Sequence, residues 1–122
     1  MKPLLRLAAV AIIAGLSGSA PLSGSAPNAP TLLFENDGTR TLRIYVDRLY
    51  VGTVGMNRVV CLRMPFRPGM ATLEARTPDN RMSFYSPPTA FTESEGWYWK
   101  IGSKPDQDAK LTLRPVARCE VR

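Results

Sequence analysis

The chain is predicted to be an all-β protein: a single antiparallel two-sheet sandwich of seven to eight strands, preceded by a signal-peptide helix. Three observations predict it. After residue 30 no segment sustains the apolar period of about 3.6 residues that a helix needs, several short runs alternate apolar and polar residues, and turn residues separate those runs. Strands of this length and spacing pack as two sheets around one core. A small closed barrel is the alternative, because alternation does not decide closure.

The start of the chain has a different character. Lys2 and Arg6 give a positive beginning, residues 7–16 are an apolar run, and residues 17–20 are the small residues that a signal peptidase accepts. Residues 1–20 therefore read as a secretory signal peptide, with cleavage between Ser19 and Ala26. The apolar run is too short to span a bilayer stably. An uncleaved anchor or a buried helix is the alternative reading. No cysteine lies in or just after the run, which argues against a lipid anchor. Residues 21–30 form a linker rich in Pro, Ser, Gly and Ala, and the tandem Leu-Ser-Gly-Ser-Ala-Pro of residues 16–21 and 22–27 is low-complexity sequence. Residues 31–122 are left as one small domain of an exported protein, periplasmic or extracellular.

Each strand of that domain has its own warrant. Residues 31–35 form the first, ended by Asn36-Asp37-Gly38-Thr39, whose Asp-Gly pair suits a hairpin turn with positive φ. In residues 41–47, Leu42, Ile44 and Val46 share one face, while Thr41, Arg43, Tyr45 and Asp47 share the other. The tight Asp47-Arg48 connection leads into residues 49–54, and Gly52 and Gly55 are read as flanking the next turn. Residues 58–64 put Val60, Leu62 and Met64 on one face and Val59, Cys61 and Arg63 on the other, so Cys61 points away from the core. Pro65 and Pro68 make residues 65–69 a loop. In residues 71–76, Ala71, Leu73 and Ala75 face inward and Thr72, Glu74 and Arg76 outward. Residues 77–80 turn the chain, residues 82–86 place Met82 and Phe84 together, and residues 89–95 make a short edge strand. Residues 96–102 are the most aromatic strand, residues 103–108 a polar loop, and residues 109–115 the last strand, with Leu111 and Leu113 inward.

The chemistry-bearing residues are few. Histidine is absent, which removes the commonest general base, the Ser-His-Asp and Cys-His arrangements and most catalytic zinc sites. Glu93 and Glu95 lie on one strand face, yet sit in a polar loop without the deep cleft that paired carboxylates use. Asp106 and Asp108 resemble half of a calcium loop and lack its glycine and distal glutamate, so a turn is the better reading. No catalytic residue, metal site or cofactor is expected, and the chain is read as not an enzyme. Cys61 and Cys119 are the only cysteines, and in an exported domain of this size they are expected to pair. Closing the long loop between them would remove denatured-state entropy worth about 4 kcal/mol. Free or intermolecular thiols are the alternative.

Lysine and arginine number 16 against 10 acids, a net charge of +6, and arginines crowd the stretch from Arg40 to Arg81. Such a face favours anionic partners, or is simply a solvated surface. Nucleic acid is not an expected partner, because no binding motif is present and export removes the usual target. Trp97 and Trp99 share a strand face with Ile101 and are expected in the core, although paired indoles also stack on sugars. The expected exposed recognition groups are Tyr45, Tyr85 and Tyr98 with Arg43, Arg63 and Arg76.

Val46-Asp47, then Val51-Gly52-Thr53, then Pro68-Gly69 before an alternating strand at residues 71–76 form a pattern that resembles the PEGA domain, a small β-rich module of bacterial and archaeal surface proteins. The likeness covers about 35 residues, and the strand pattern also resembles other immunoglobulin-like sandwiches. It departs from the family where Arg48 stands in place of the usual turn glycine, where Val54-Gly55 stands near the family's proline, and over residues 97–119, which have no counterpart. What the resemblance implies is a non-catalytic envelope module. The expected function is thus to bind a protein, a polysaccharide or an anionic partner in the cell envelope. A structural or assembly subunit that self-associates is the alternative, and a small hydrolase is the remotest.

Overall fold

The structure, a computed structural model, describes residues 29–65 and 69–121. The expected signal peptide and cleavage site, most of the linker, and Phe66, Arg67 and Pro68 lie outside the described residues. The strands are β1 (Thr31–Asn36), β2 (Leu42–Val46), β3 (Leu49–Val54), β4 (Arg58–Arg63), β5 (Met70–Ala71), β6 (Leu73–Arg76), β7 (Ser83–Tyr85), β8 (Thr89–Ala90), β9 (Gly96–Ile101) and β10 (Arg114–Val116), with one helix, α1 (Pro105–Leu111). The described residues are predominantly β, as alternation predicts. One four-stranded sheet has the order β10-β9-β1-β4, a second the order β3-β2-β6-β7, and β5 pairs with β8.

Alternation decides which side chains go inside. Leu32, Phe34, Leu62, Trp99 and Ile101 from the first sheet meet Leu42, Ile44, Val46, Val54, Leu73, Ala75 and Phe84 from the second in one apolar cluster. Each large apolar side chain fully withdrawn from water contributes about 1.5–3 kcal/mol. Trp99 is wholly buried, stands edge-on to Phe34 at 5.5 Å, and its indole N–H donates to the Ala109 carbonyl at 2.9 Å. Trp97 is half-buried against the same cluster, edge-on to Phe91 at 5.0 Å.

Several expectations are corrected. The pairing is not wholly antiparallel: β9 runs parallel to β1, with Trp97 beside Leu32 and Ile101 beside Asn36. The chain enters β9 from the same end as β1, because Thr31 N–H already bonds the Glu95 carbonyl just before it. Ten strands stand among the described residues in place of seven to eight, one of the additions coming from residues 71–76, which are split at Thr72. There the backbone turns aside to the Asp47 side chain and amide. The Asp37-Gly38 segment is not a hairpin, because β1 and β2 lie in different sheets. Buried Asn36 bolts this crossing: its amide nitrogen lies 2.7 Å from the Arg40 carbonyl and 3.1 Å from those of Val54 and Gly55.

Gly52 does not flank a turn. It lies within β3, where an added Cβ would stand 2.6 Å from Leu62 Cδ2, so the glycine lets the two sheets approach. The expected loop and last strand over residues 103–115 are instead α1 followed by β10. Pro105 opens the helix, Asp106 and Asp108 occupy its first turn and Lys110 its last, each where the helix dipole favours it. Ala109 is the residue α1 buries, beneath Trp99, while Leu111 is exposed.

Candidate functional site

The two sheets turn very different outer faces to solvent. On the first, Thr31, Leu33, Cys61, Arg63, Gly96 and Tyr98 point outward by register. The C-terminal tail crosses this face as a strap. Cys119 is disulfide-bonded to Cys61 across a sequence separation of 58, with Cα atoms 5.9 Å apart, and its amide donates to Thr31 Oγ1 at 3.3 Å. Over Gly96 a Cβ would come within 2.5 Å of the Ala117 carbonyl oxygen and 2.7 Å of Arg118 Cα, so only glycine lets the strap lie flat. Tyr98 beside it is engaged: its hydroxyl donates to Glu35 at 2.6 Å and Arg114 stacks on its ring at 4.6 Å. Burial first, then the bond to Glu35, pushes this phenol up to about 12.

The outer face of the second sheet carries the richer chemistry. Strand register arranges it in two cross-strand rows. Tyr50, Tyr45, Glu74 and Tyr85 stand opposite one another across β3, β2, β6 and β7, and Thr53, Arg43, Arg76 and Ser83 form the adjacent row. The register shift between Ile44 and Tyr45 creates this alignment, because Val51 becomes an extra residue and both Tyr50 and Thr53 then face outward.

Glu74 is the anchor of the face. Although it points outward it is only 5 % exposed, roofed by its neighbours. Arg76 grips it with two bonds, Nε to Oε2 at 3.0 Å and Nη2 to Oε1 at 3.1 Å, and the Tyr85 hydroxyl donates to Oε2 at 3.3 Å. Burial pushes this carboxyl up, but hydrogen bonds from Arg76 and Ser83, the guanidinium charge and Tyr85 together hold it below its ordinary value. The Arg76 guanidinium also lies 4.3 Å above the Tyr45 ring, which in turn meets Tyr50 edge-on at 5.7 Å. Beyond them Arg43, Tyr45, Tyr50 and Thr53 line an open cleft of about 300 Å³.

Of the six expected recognition residues, Arg43, Tyr45, Arg76 and Tyr85 come together here, whereas Tyr98 and Arg63 stand on the strapped face. Tyr50, Thr53, Glu74 and Ser83 were not among the six; the register of the hairpin is the cue that finds Tyr50 and Thr53, whereas alternation already turns Glu74 outward. Glu93 and Glu95 are exposed in the turn before β9, and Asp108 accepts the Gly102 amide at 2.7 Å. A larger cleft of about 440 Å³ opens where the Asn36–Leu42 crossing meets β7 and the start of α1. Of its polar groups, Asn36 is engaged in the crossing and Asp37 lies 3.7 Å from Lys100. No protein-family model matches the chain, and a search of curated proteins found no match.

Proposed function

We propose that the protein is a non-catalytic, exported binding module of the cell envelope, and that its recognition surface is the outer face of β3-β2-β6-β7. The observation that carries this reading is the double row of tyrosines and arginines on that face, set on strands whose positions the core fixes. Tyrosine rings and arginine guanidinium groups are enriched among the residues that dominate recognition surfaces, and a tyrosine ring is ordered at little entropic expense. The C-terminal strap covers part of the opposite face, beside an open cleft that Leu33, Val59 and Cys61 line without a tyrosine or arginine. Catalysis is disfavoured by chemistry: Glu74, the one buried carboxylate among the described residues, is held ionised by Arg76 and makes a weak base.

Export is supported by the N-terminal pattern of residues 1–20 and is compatible with the disulfide. No helix among the described residues is long and apolar enough to cross a membrane. The resemblance of residues 43–54 to PEGA and immunoglobulin-like sandwiches supports an envelope role, and the partner is a polysaccharide or protein of that compartment. A second reading, self-assembly, is favoured by the outer edge of β3, where Leu49 and Tyr50 are exposed at 40 % and 57 %.

The test is affinity capture from an envelope extract by the mature protein and by a variant carrying Tyr45→Ser, Tyr50→Ser and Tyr85→Ser. The variant should hold its partner about ten-fold less tightly. Undiminished capture would place recognition elsewhere, and an apparent mass by light scattering that rises with protein concentration would favour assembly.

A further inference from the structure

Arg43 and Arg76 stand directly opposite each other on neighbouring strands and point to the same side. Like charges in that position repel, so a sheet keeps such a pair only where something offsets it. Glu74 offsets one of them: both of its oxygens are taken up by Arg76. Arg43 has no carboxylate within ion-pair distance among the described residues. Its guanidinium instead borders the cleft of about 300 Å³ walled by Tyr45, Tyr50 and Thr53. The Tyr50 and Thr53 hydroxyls are bonded to each other at 2.5 Å, which consumes one hydrogen and leaves the other free to donate outward.

Resting on the recognition face proposed above, we infer that this cleft is the subsite for an oxyanion-bearing sugar unit of an anionic envelope polysaccharide. Arg43 takes the oxyanion, since a guanidinium fork matches carboxylate and phosphate oxygens. The Tyr50 ring, which is 57 % exposed, offers a face for the sugar ring, and the free hydroxyl hydrogen donates to a ring substituent. The size fits one ring, because the cleft lies at the lower end of the roughly 300–1,000 Å³ that small-ligand sites span. A peptide is less well served: the lining has no aliphatic residue and no apolar hole for an anchoring side chain.

The experiment is calorimetric titration of the mature, disulfide-intact protein with a short oligogalacturonate, its neutral methyl ester, a phosphate-linked hexose oligomer and poly-glutamate. Arg43→Gln, Tyr50→Ala and Arg63→Gln are the variants; the last removes the same charge on the strapped face. The inference expects the galacturonate or the phosphate oligomer to bind, the tighter of the two naming the source of the oxyanion. It also expects the ester and Arg43→Gln each to weaken binding about ten-fold, with Arg63→Gln unchanged. The ester comparison needs no variant and so survives any folding defect in Arg43→Gln. Ester and acid binding equally, with loss only on Tyr50→Ala, would overturn the oxyanion subsite and leave the recognition face standing. Poly-glutamate binding tightest, or no binding by any of the four, would overturn the inference, and capture lost in the triple tyrosine variant would still uphold the face. Equal weakening by Arg43→Gln and Arg63→Gln, with none from Tyr50→Ala, would reduce the effect to net charge and overturn both.

Discussion

Glu74 has the environment of a core residue at a position that alternation assigns to solvent. Tyr45 and Tyr85 cover it from the flanking strands, and Arg76 closes its exposed side. Its pKa in the folded chain lies below the ordinary 4.5, so folding favours the ionised form. The stability this contributes is complete above about pH 4.5 and is lost as pH falls through the folded value. Melting curves between neutral and acid pH should show wild type losing stability below that point, with Glu74→Gln flatter and less stable at neutral pH by about 1–3 kcal/mol. A parallel pH dependence in both proteins would contradict the assignment. Arg48 offers a test of opposite sign. Asp47 and Arg48 have φ of 46° and 71°, as a mirror-type hairpin turn demands, and a side chain at such a φ is strained. Arg48→Gly should therefore raise stability by about 1 kcal/mol in denaturant titration.

Hairpin β2–β3 shows how much of an element its sequence discloses. The inward set Leu42, Ile44 and Val46 and the tight turn at Asp47-Arg48 were legible, because period-two alternation and turn chemistry are local properties. The extra residue at Val51 was not, since a bulge leaves no mark until the partner strand is in place. The alignment of Tyr50 with Tyr45 was hidden for that reason, and the burial of Glu74 because its cover comes from Tyr45 and Tyr85 on other strands. Helix α1 was obscured differently: Leu111 and Leu113 imitate a strand alternation, whereas Pro105 and the acidic first turn were the true cues. The parallel pairing of β9 with β1 is a long-range contact with no local signature. By contrast, the outward direction of Cys61 was readable from alternation alone, and it gives the strap its anchor. Gly96 is the strap's other requirement. Gly96→Ala should force the backbone at Ala117 and Arg118 aside and lower stability by about 1–3 kcal/mol, with faster proteolysis of the tail. An unchanged melting curve and an uncut tail would show that the strap does not bear on this strand.

Taken whole, the molecule is asymmetric in its use of surface. One face is crossed by its own tail, anchored through a disulfide, and the other displays two rows of polar and aromatic groups over a shared core. The disulfide is compatible with the proposed export, because an oxidising compartment lets such a bond persist. The intact mass of the natural protein without reductant should be that of an oxidised chain beginning between Ala20 and Pro27; a chain still carrying Met1 would contradict export with cleavage. The most direct test of the proposed recognition face is amide chemical-shift mapping of the mature protein titrated with soluble envelope polysaccharide. Shifts should gather at Arg43, Tyr45, Tyr50, Thr53 and Arg76. Shifts gathered instead at Leu33, Val59 and the strap, or around Asn36 and Phe84, would contradict it.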